Sequence, residues 1–157
     1  MKLATRRLGQ SDLEITRVGI GTAPIGSTPS WDIYWGPQNE SEAIRAIEAA
    51  LELGVNWIDT APFYGWGRAE QIVGKALRGK RDSVYIFTKC GTLRNEQGGW
   101  REDLSPASIR REVEASLRNF LSHEAWGGGR LHRWLCGPDI AAQYLMNTRT
   151  AACPSHR

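Results

Sequence analysis

The chain has little that would take it to a membrane, a disulfide framework or a nucleic acid. No apolar run approaches the roughly 18 residues that a membrane span requires. The basic start, Met1-Lys2-Leu3-Ala4-Thr5-Arg6-Arg7, is followed by no apolar segment and is not expected to act as a secretory signal. Cysteine is scarce: Cys90, Cys136 and Cys153 are scattered and odd in number, with no CxxC spacing and no Cys/His cluster. Neither a disulfide frame nor a metal site is therefore expected, and a reducing, cytoplasmic location fits. Charge of one sign is scarce too. Lys and Arg total 20 against 17 Asp and Glu, a formal charge of +3 spread without blocks. That is the pattern of a mixed solvated surface, so no nucleic-acid partner is expected.

What is present is an ordinary globular composition over 157 residues, enough for one domain with a real core. Arg7-Leu8-Gly9 and Leu13-Glu14-Ile15 flank the turn-forming Gln10-Ser11-Asp12, which predicts a hairpin. Val18-Gly19-Ile20-Gly21 reads as a short buried strand. Residues 22–38 read as a long loop carrying Trp31, Tyr34 and Trp35, either functional or poorly ordered. Asn39 with Glu42 forms a capping-box pattern, Ile44, Ile47 and Leu51 give a helical stripe, and Gly54 stops it. Val55 to Asp59 predicts a strand and Ala69 to Leu77 a second helix with Gly79 as its cap. Val84 to Thr88 predicts another strand, followed by a Gly-rich loop from Gly91 to Asp103. Ser105 caps a third helix, Pro106 occupies its first position, and Ile109, Val113 and Leu117 line its inner face.

Buried strands alternating with amphipathic helices predict an α/β fold with a parallel sheet and right-handed crossovers. The loops after the strands are longer than the turns after the helices, which places function at the strand C-termini. Past Asn119 the periodicity collapses. Gly127-Gly128-Gly129 interrupts it, no fourth strand is recognisable, and residues 120–157 read as an aberrant, poorly ordered tail.

Three ionisable residues fall at or just past strand C-termini: Asp59, Tyr64 and Lys89. A phenol with an unperturbed pKa of about 10 is a poor acid at neutral pH. A neighbouring ammonium favours its phenolate, and a carboxylate keeps that ammonium charged and oriented. Such a trio can protonate a carbonyl oxygen as the carbon receives a hydride. Each residue also has a plain structural role open to it: Asp59 as a turn cap, Tyr64 as loop packing, Lys89 as an exposed strand end. Their placement at successive strand ends favours the chemical reading of the three together.

Val18-Gly19-Ile20-Gly21-Thr22 and the string from Gly54 to Gly65, with Asp59-Thr60-Ala61-Pro62-Phe63-Tyr64-Gly65 at its end, closely resemble the aldo/keto reductase signature. Glu70 to Leu77, Ile86 to Gly91, and Ser105 to Arg118 resemble the following helix, the lysine-bearing strand and the third helix of that family. The resemblance covers residues 2–119 and implies a partial (β/α)8 TIM barrel: about the first three β/α units, preceded by the N-terminal hairpin. It implies NADP(H)-dependent interconversion of a small aldehyde or ketone with its alcohol. In that reading Tyr64 is the general acid, Lys89 depresses its pKa, Asp59 holds Lys89, and Gly21, Thr22 and Asp59 line the cofactor site near the nicotinamide. Trp31, Trp35 and Trp66 would wall the substrate pocket, loop packing being the alternative for each.

The family's fourth catalytic group, a histidine at the end of a fourth strand, has no counterpart here. His123 and His132 lack a matching strand context. Later strands that hold most of the cofactor are also missing from a fold that typically needs about 250 residues. The expectation is therefore impaired activity and stability, with self-association through open sheet edges. A non-catalytic interaction fragment and an inactive gene remnant are the alternatives. Read one nucleotide later, the codons for Glu124 to Gly127 admit Arg-Leu-Gly, and those for Arg130 to Arg133 admit Asp-Tyr-Ile-Asp. This motivates a frameshifted or mis-joined gene after about residue 119, although the match extends no further than Arg133.

Overall fold

The computed structural model describes residues 3–31, 33–121 and 143–145. The chain opens with a hairpin of β1 (Thr5–Arg7) and β2 (Glu14–Thr16), antiparallel with Arg6 opposite Ile15. Ser11 closes its turn, donating from Oγ to the Leu8 carbonyl. Three parallel strands follow in sheet order: β3 (Ile20–Gly21), β4 (Trp57–Asp59) and β5 (Tyr85–Lys89). The helices α1 (Glu40–Glu52) and α2 (Arg68–Ala76) are the crossovers between them, and α3 (Pro106–Leu121) follows β5. The α/β fold, the leading hairpin and the three-unit rhythm agree with the sequence reading. Among the described residues the sheet does not close into a barrel.

The period of two along the strands decides which residue meets which layer. Ile58, Val84 and Ile86 face the helices and form the main core with Ala43 and Ile47 of α1 and Ile72, Val73, Ala76 and Leu77 of α2 and its end. Trp57, Tyr85 and Phe87 face the other way and pack with Leu8, Leu13 and Ile15 of the hairpin. The Trp57 indole donates to the Thr16 carbonyl at 2.9 Å and stands edge-on to Phe87. Asp59 and Lys89 continue this second row at the C-terminal ends of β4 and β5.

Helix starts follow the local chemistry. Asn39 caps α1, its Oδ1 accepting from Glu42 N–H at 3.1 Å, and Gly54 ends the helix at φ +95°. Ser105 caps α3 by accepting from Ser108 N–H at 3.3 Å.

Several expectations are corrected. Val18 is 58% exposed and the strand is confined to Ile20–Gly21; the Trp57 indole fills the space beside Gly19, where a Cβ would lie 2.1 Å from it. The Gly-rich segment after β5 is not only loop. It forms a hairpin of β6 (Thr92–Arg94) and β7 (Trp100–Glu102), closed by Asn95 N–H on the Gly99 carbonyl. Ile109, Val113 and Leu117 of α3 are only half-buried. The stripe buried deepest is polar: Ser108, Glu112 and Ser116. A short strand β8 (Gln143–Leu145), which the sequence reading did not find, pairs antiparallel with β5. Phe120 and Leu121, read as the start of the poorly ordered tail, are the last residues of α3, and Phe120 packs against the main core; the remainder of that segment, with His123, His132 and two of the cysteines, lies outside the described residues.

Candidate functional site

The ends of β4 and β5 bring the first two predicted residues into contact. Lys89 Nζ donates to both Asp59 oxygens, each at 2.8 Å, and to the Thr60 carbonyl at 3.0 Å. The pair is only partly shielded, with side-chain exposures of 19% and 28%. Lys89 Nζ also stands 5.0 Å from the centre of the Tyr64 ring. The predicted trio is therefore one cluster, in which the ammonium bridges carboxylate and aromatic ring.

Tyr64 reaches this position through a loop built on close backbone passage. Tyr64 N–H donates to the Ala61 carbonyl at 3.1 Å, and its own carbonyl accepts from Ala69 N–H at the start of α2 at 3.2 Å. Gly65 adopts φ +63°, and a Cβ there would lie 1.8 Å from the Gly26 carbonyl oxygen. Tyr64 is thus held against the 22–38 loop by a contact that admits no side chain.

Of the other predicted residues, Thr22 is fully buried, and both its N–H and its hydroxyl donate to the Asp59 carbonyl at 3.0 Å. Gly21 is exposed at the end of β3, and a Cβ there would meet nothing within 4 Å. Trp31 is 2% exposed and packs against Phe63 and Tyr64, while Phe63 also contacts Trp66 edge-on. Trp35, at 60% exposure, does not join them. Two members went unnoticed in the sequence: Phe63, the hub of this aromatic group, and Trp100, stacked on it at 5.2 Å from β7. Arg94 of the same hairpin lies over the Trp66 ring. The turn-forming Asn95, Gly98 and Gly99 between Thr92-Leu93-Arg94 and Trp100-Arg101-Glu102 were the available signal for that hairpin.

Also unforeseen are two buried carboxyls behind β5. Glu70 of α2 is fully buried, accepting from Thr88 Oγ1 at 2.7 Å and from Asn119 Nδ2 at 2.9 Å. Glu112 of α3 accepts from Gly91 N–H at 2.8 Å and Ser108 Oγ at 3.2 Å. Burial pushes both carboxyls above the ordinary range. Hydrogen bonds from Asn119 and Thr88 to Glu70, and from Gly91 and Ser108 to Glu112, pull the other way. A carboxyl raised in the folded state gives stability that is full below its ordinary value of 4.5 and is lost as pH rises through the raised value. Asp103 acts in the opposite sense at lower pH: hydrogen bonds from Ser105 hold it down at about 2, so its contribution is lost only on acidification below 3.8. The expected result is a melting temperature that falls as pH is raised above about 4.5, with a shallower slope in Glu70→Gln. A slope unchanged by that substitution contradicts the assignment to Glu70.

Among the described residues, no group of three or more His, Cys, Asp or Glu is placed to hold a metal ion, and no helix is long and apolar enough to cross a membrane. A parallel sheet with helices on one face, and a Lys–Asp pair beside a tyrosine at its strand ends, is the arrangement of part of a β/α barrel with a polar cluster at its C-terminal rim. The profile of the aldo/keto reductase family matches residues 17–136, and the chain belongs to that family. The match runs past residue 119, where the resemblance read from the sequence stops.

Among its relatives, the NADH-specific methylglyoxal reductase of Escherichia coli (strain K12) is 41% identical over 121 residues, covering 71% of this chain and 36% of that protein. The holo form of aldo-keto reductase AKR11C1 from Bacillus halodurans superposes with a TM-score of 0.64 at 40% identity, over 75% of this chain and 36% of that one. An aldo/keto reductase from Klebsiella pneumoniae in complex with NADP and acetate superposes at 0.54 with 27% identity, over 75% and 35%. The chain thus spans about a third of the length of the relatives it matches.

Proposed function

We propose that the chain carries the proton-donating part of an aldo/keto reductase site and serves the reduction of a small aldehyde or ketone to its alcohol, or the reverse. The observation that supports this most is the Lys89 ammonium, held by both oxygens of Asp59 and standing 5.0 Å from the Tyr64 ring. Tyr64 gives the proton of its hydroxyl to the carbonyl oxygen, or takes one from the alcohol. Lys89 stabilises the phenolate left behind, and Asp59 keeps Lys89 charged and in place. In this role Lys89 works by charge on the ring system, since its hydrogen bonds go to Asp59 and Thr60.

The cofactor in this reading is a nicotinamide dinucleotide, which when bound supplies the hydride. The residues present leave room for it: Gly21 is open, and a side chain there would intrude on free space. Gly21 and Asp59 border that place, while Thr22 holds the Asp59 carbonyl from below. NADP(H) is the family expectation, supported by the Klebsiella neighbour's bound NADP; the name of the E. coli relative makes NADH the alternative to compare. Phe63, Trp66 and Trp100, backed by the buried Trp31, supply an apolar wall near Tyr64, suited to a small carbonyl compound. A cytoplasmic location belongs to the same reading, as does self-association through the outer edge of β3, which ends the sheet.

The test is oxidation of NADPH or NADH by the purified protein with methylglyoxal as the probe. The expected result is a slow rate proportional to protein and to methylglyoxal. Cofactor loss independent of the carbonyl compound overturns the reading.

A further inference from the structure

The β4–β5 ladder ends before Lys89. Its last register pair is Asp59 with Phe87, and its last backbone bond is Thr60 N–H to the Phe87 carbonyl at 2.8 Å. The backbone from Thr88 to Gly91, which carries Lys89, extends past that ladder. On its far edge Thr88 and Lys89 pair with Tyr144 and Gln143 of β8, and it is held as well from the helix side. Thr88, one residue before Lys89 and pointing to the opposite face, donates its hydroxyl to Glu70 of α2 at 2.7 Å. Gly91, two residues after Lys89, donates its N–H to Glu112 of α3 at 2.8 Å. Each carboxylate is anchored on its far oxygen, Glu70 by Asn119 and Glu112 by Ser108.

Core formation alone does not account for this arrangement. Burying two carboxyls is costly, and an apolar stripe of similar volume on α3 would serve stability as well or better. What two fully bonded carboxyls provide, and methyl groups do not, is directional control of the backbone they grip.

We propose that Glu70 and Glu112 are positioning residues for Lys89, clamping β5 at Thr88 and Gly91 and so setting where the Lys89 ammonium meets Asp59 and Tyr64. This rests on the reading of Lys89 given under Proposed function. A lysine side chain is long and has much rotamer entropy to lose, so its ion pair forms in one place only if its backbone is already there. Asp59 is fixed by its own strand and by Thr22, so a shift of β5 alone separates the pair.

The readout is acetylation of the folded protein by an amine-reactive reagent, quantified at each lysine by mass spectrometry. Lys75 and Lys80, paired with Glu40 and Glu48, serve as internal references. Thr88→Val and Glu112→Leu, which remove the hydroxyl donor and the carboxyl acceptor, are each expected to raise Lys89 labelling several-fold relative to Lys80, as is Asp59→Asn, which removes the charge Lys89 pairs with. Thr88→Ser, which keeps the hydroxyl, is expected to stay at the wild-type level. If Asp59→Asn raises labelling while Thr88→Val and Glu112→Leu do not, the clamp is wrong and the ion pair stands. If Asp59→Asn changes nothing, the reading of Lys89 fails and the clamp with it. A rise shared equally by Lys75 and Lys80 in the clamp variants assigns Glu70 and Glu112 a purely structural role and overturns the proposal.

Discussion

Tyr64→Phe is expected to lower carbonyl-dependent turnover by about 100-fold or more, the usual contribution of a positioned general acid. The same substitution is expected to leave the melting temperature within about 2 °C of wild type. The two results belong together because of where Lys89 sits. Its ammonium bonds to Asp59 and to the Thr60 carbonyl, and it meets Tyr64 through the ring. Phenylalanine keeps that ring, its contact with Trp31 and its cation–π attraction, worth about 1 kcal/mol at a partly exposed site. Only the hydroxyl, and with it the transferable proton, is removed. A loss of turnover without a loss of stability, measured on one preparation by cofactor oxidation and by thermal melting, is the signature of a chemical role. Full turnover in Tyr64→Phe assigns Tyr64 to loop packing.

Gly65→Ala is expected to destabilise the protein by about 3 kcal/mol, combining a left-handed conformation with overpacking. The new methyl group would lie 1.8 Å from the Gly26 carbonyl oxygen and 3.3 Å from the Arg68 Cβ, so the 22–38 loop and the Tyr64 loop cannot both stay. For a domain of this size the melting temperature falls by about 10 °C. Gly9→Ala is the control. Gly9 also has a positive φ, +55°, but nothing lies within 4 Å of its added Cβ, so it bears the conformational cost alone, about 1 kcal/mol. Equal melting temperatures for the two variants would show that the close passage of Gly26 and Gly65 does not hold the Tyr64 loop.

The sequence makes the β/α rhythm legible because each element carries its own signal: Asn39 and Ser105 as caps, Gly54 as a stop, Ile58 and Ile86 as buried strand centres. Asp59 and Lys89 could be brought together for the same reason, since both sit at the ends of readable strands. What escaped notice is polar and buried. Glu70 lies in an amphipathic helix, where a glutamate ordinarily reads as part of the solvated face, and only the tertiary meeting with Thr88 and Asn119 buries it. Glu112 had a faint signal: Ser108, Glu112 and Ser116 recur every four residues and mark one face of α3. The apolar stripe of Ile109, Val113 and Leu117 drew the reading to the neighbouring face. Trp35 shows the converse error. An aromatic in a long loop invites a pocket role, yet the Ser27 hydroxyl that accepts from its backbone N–H leaves the indole in solvent.

The central claim, that this chain brings a proton donor to a carbonyl receiving a hydride, is tested most directly by following the hydride itself. The protein is incubated with methylglyoxal and NADPH, then NADH, carrying deuterium at the transferable nicotinamide position, and the alcohol product is analysed by mass spectrometry. The account predicts deuterium on the former carbonyl carbon with at least one of the two cofactors, and its loss in Tyr64→Phe. Alcohol free of deuterium, no alcohol at all, or the same labelled yield from Tyr64→Phe contradicts it.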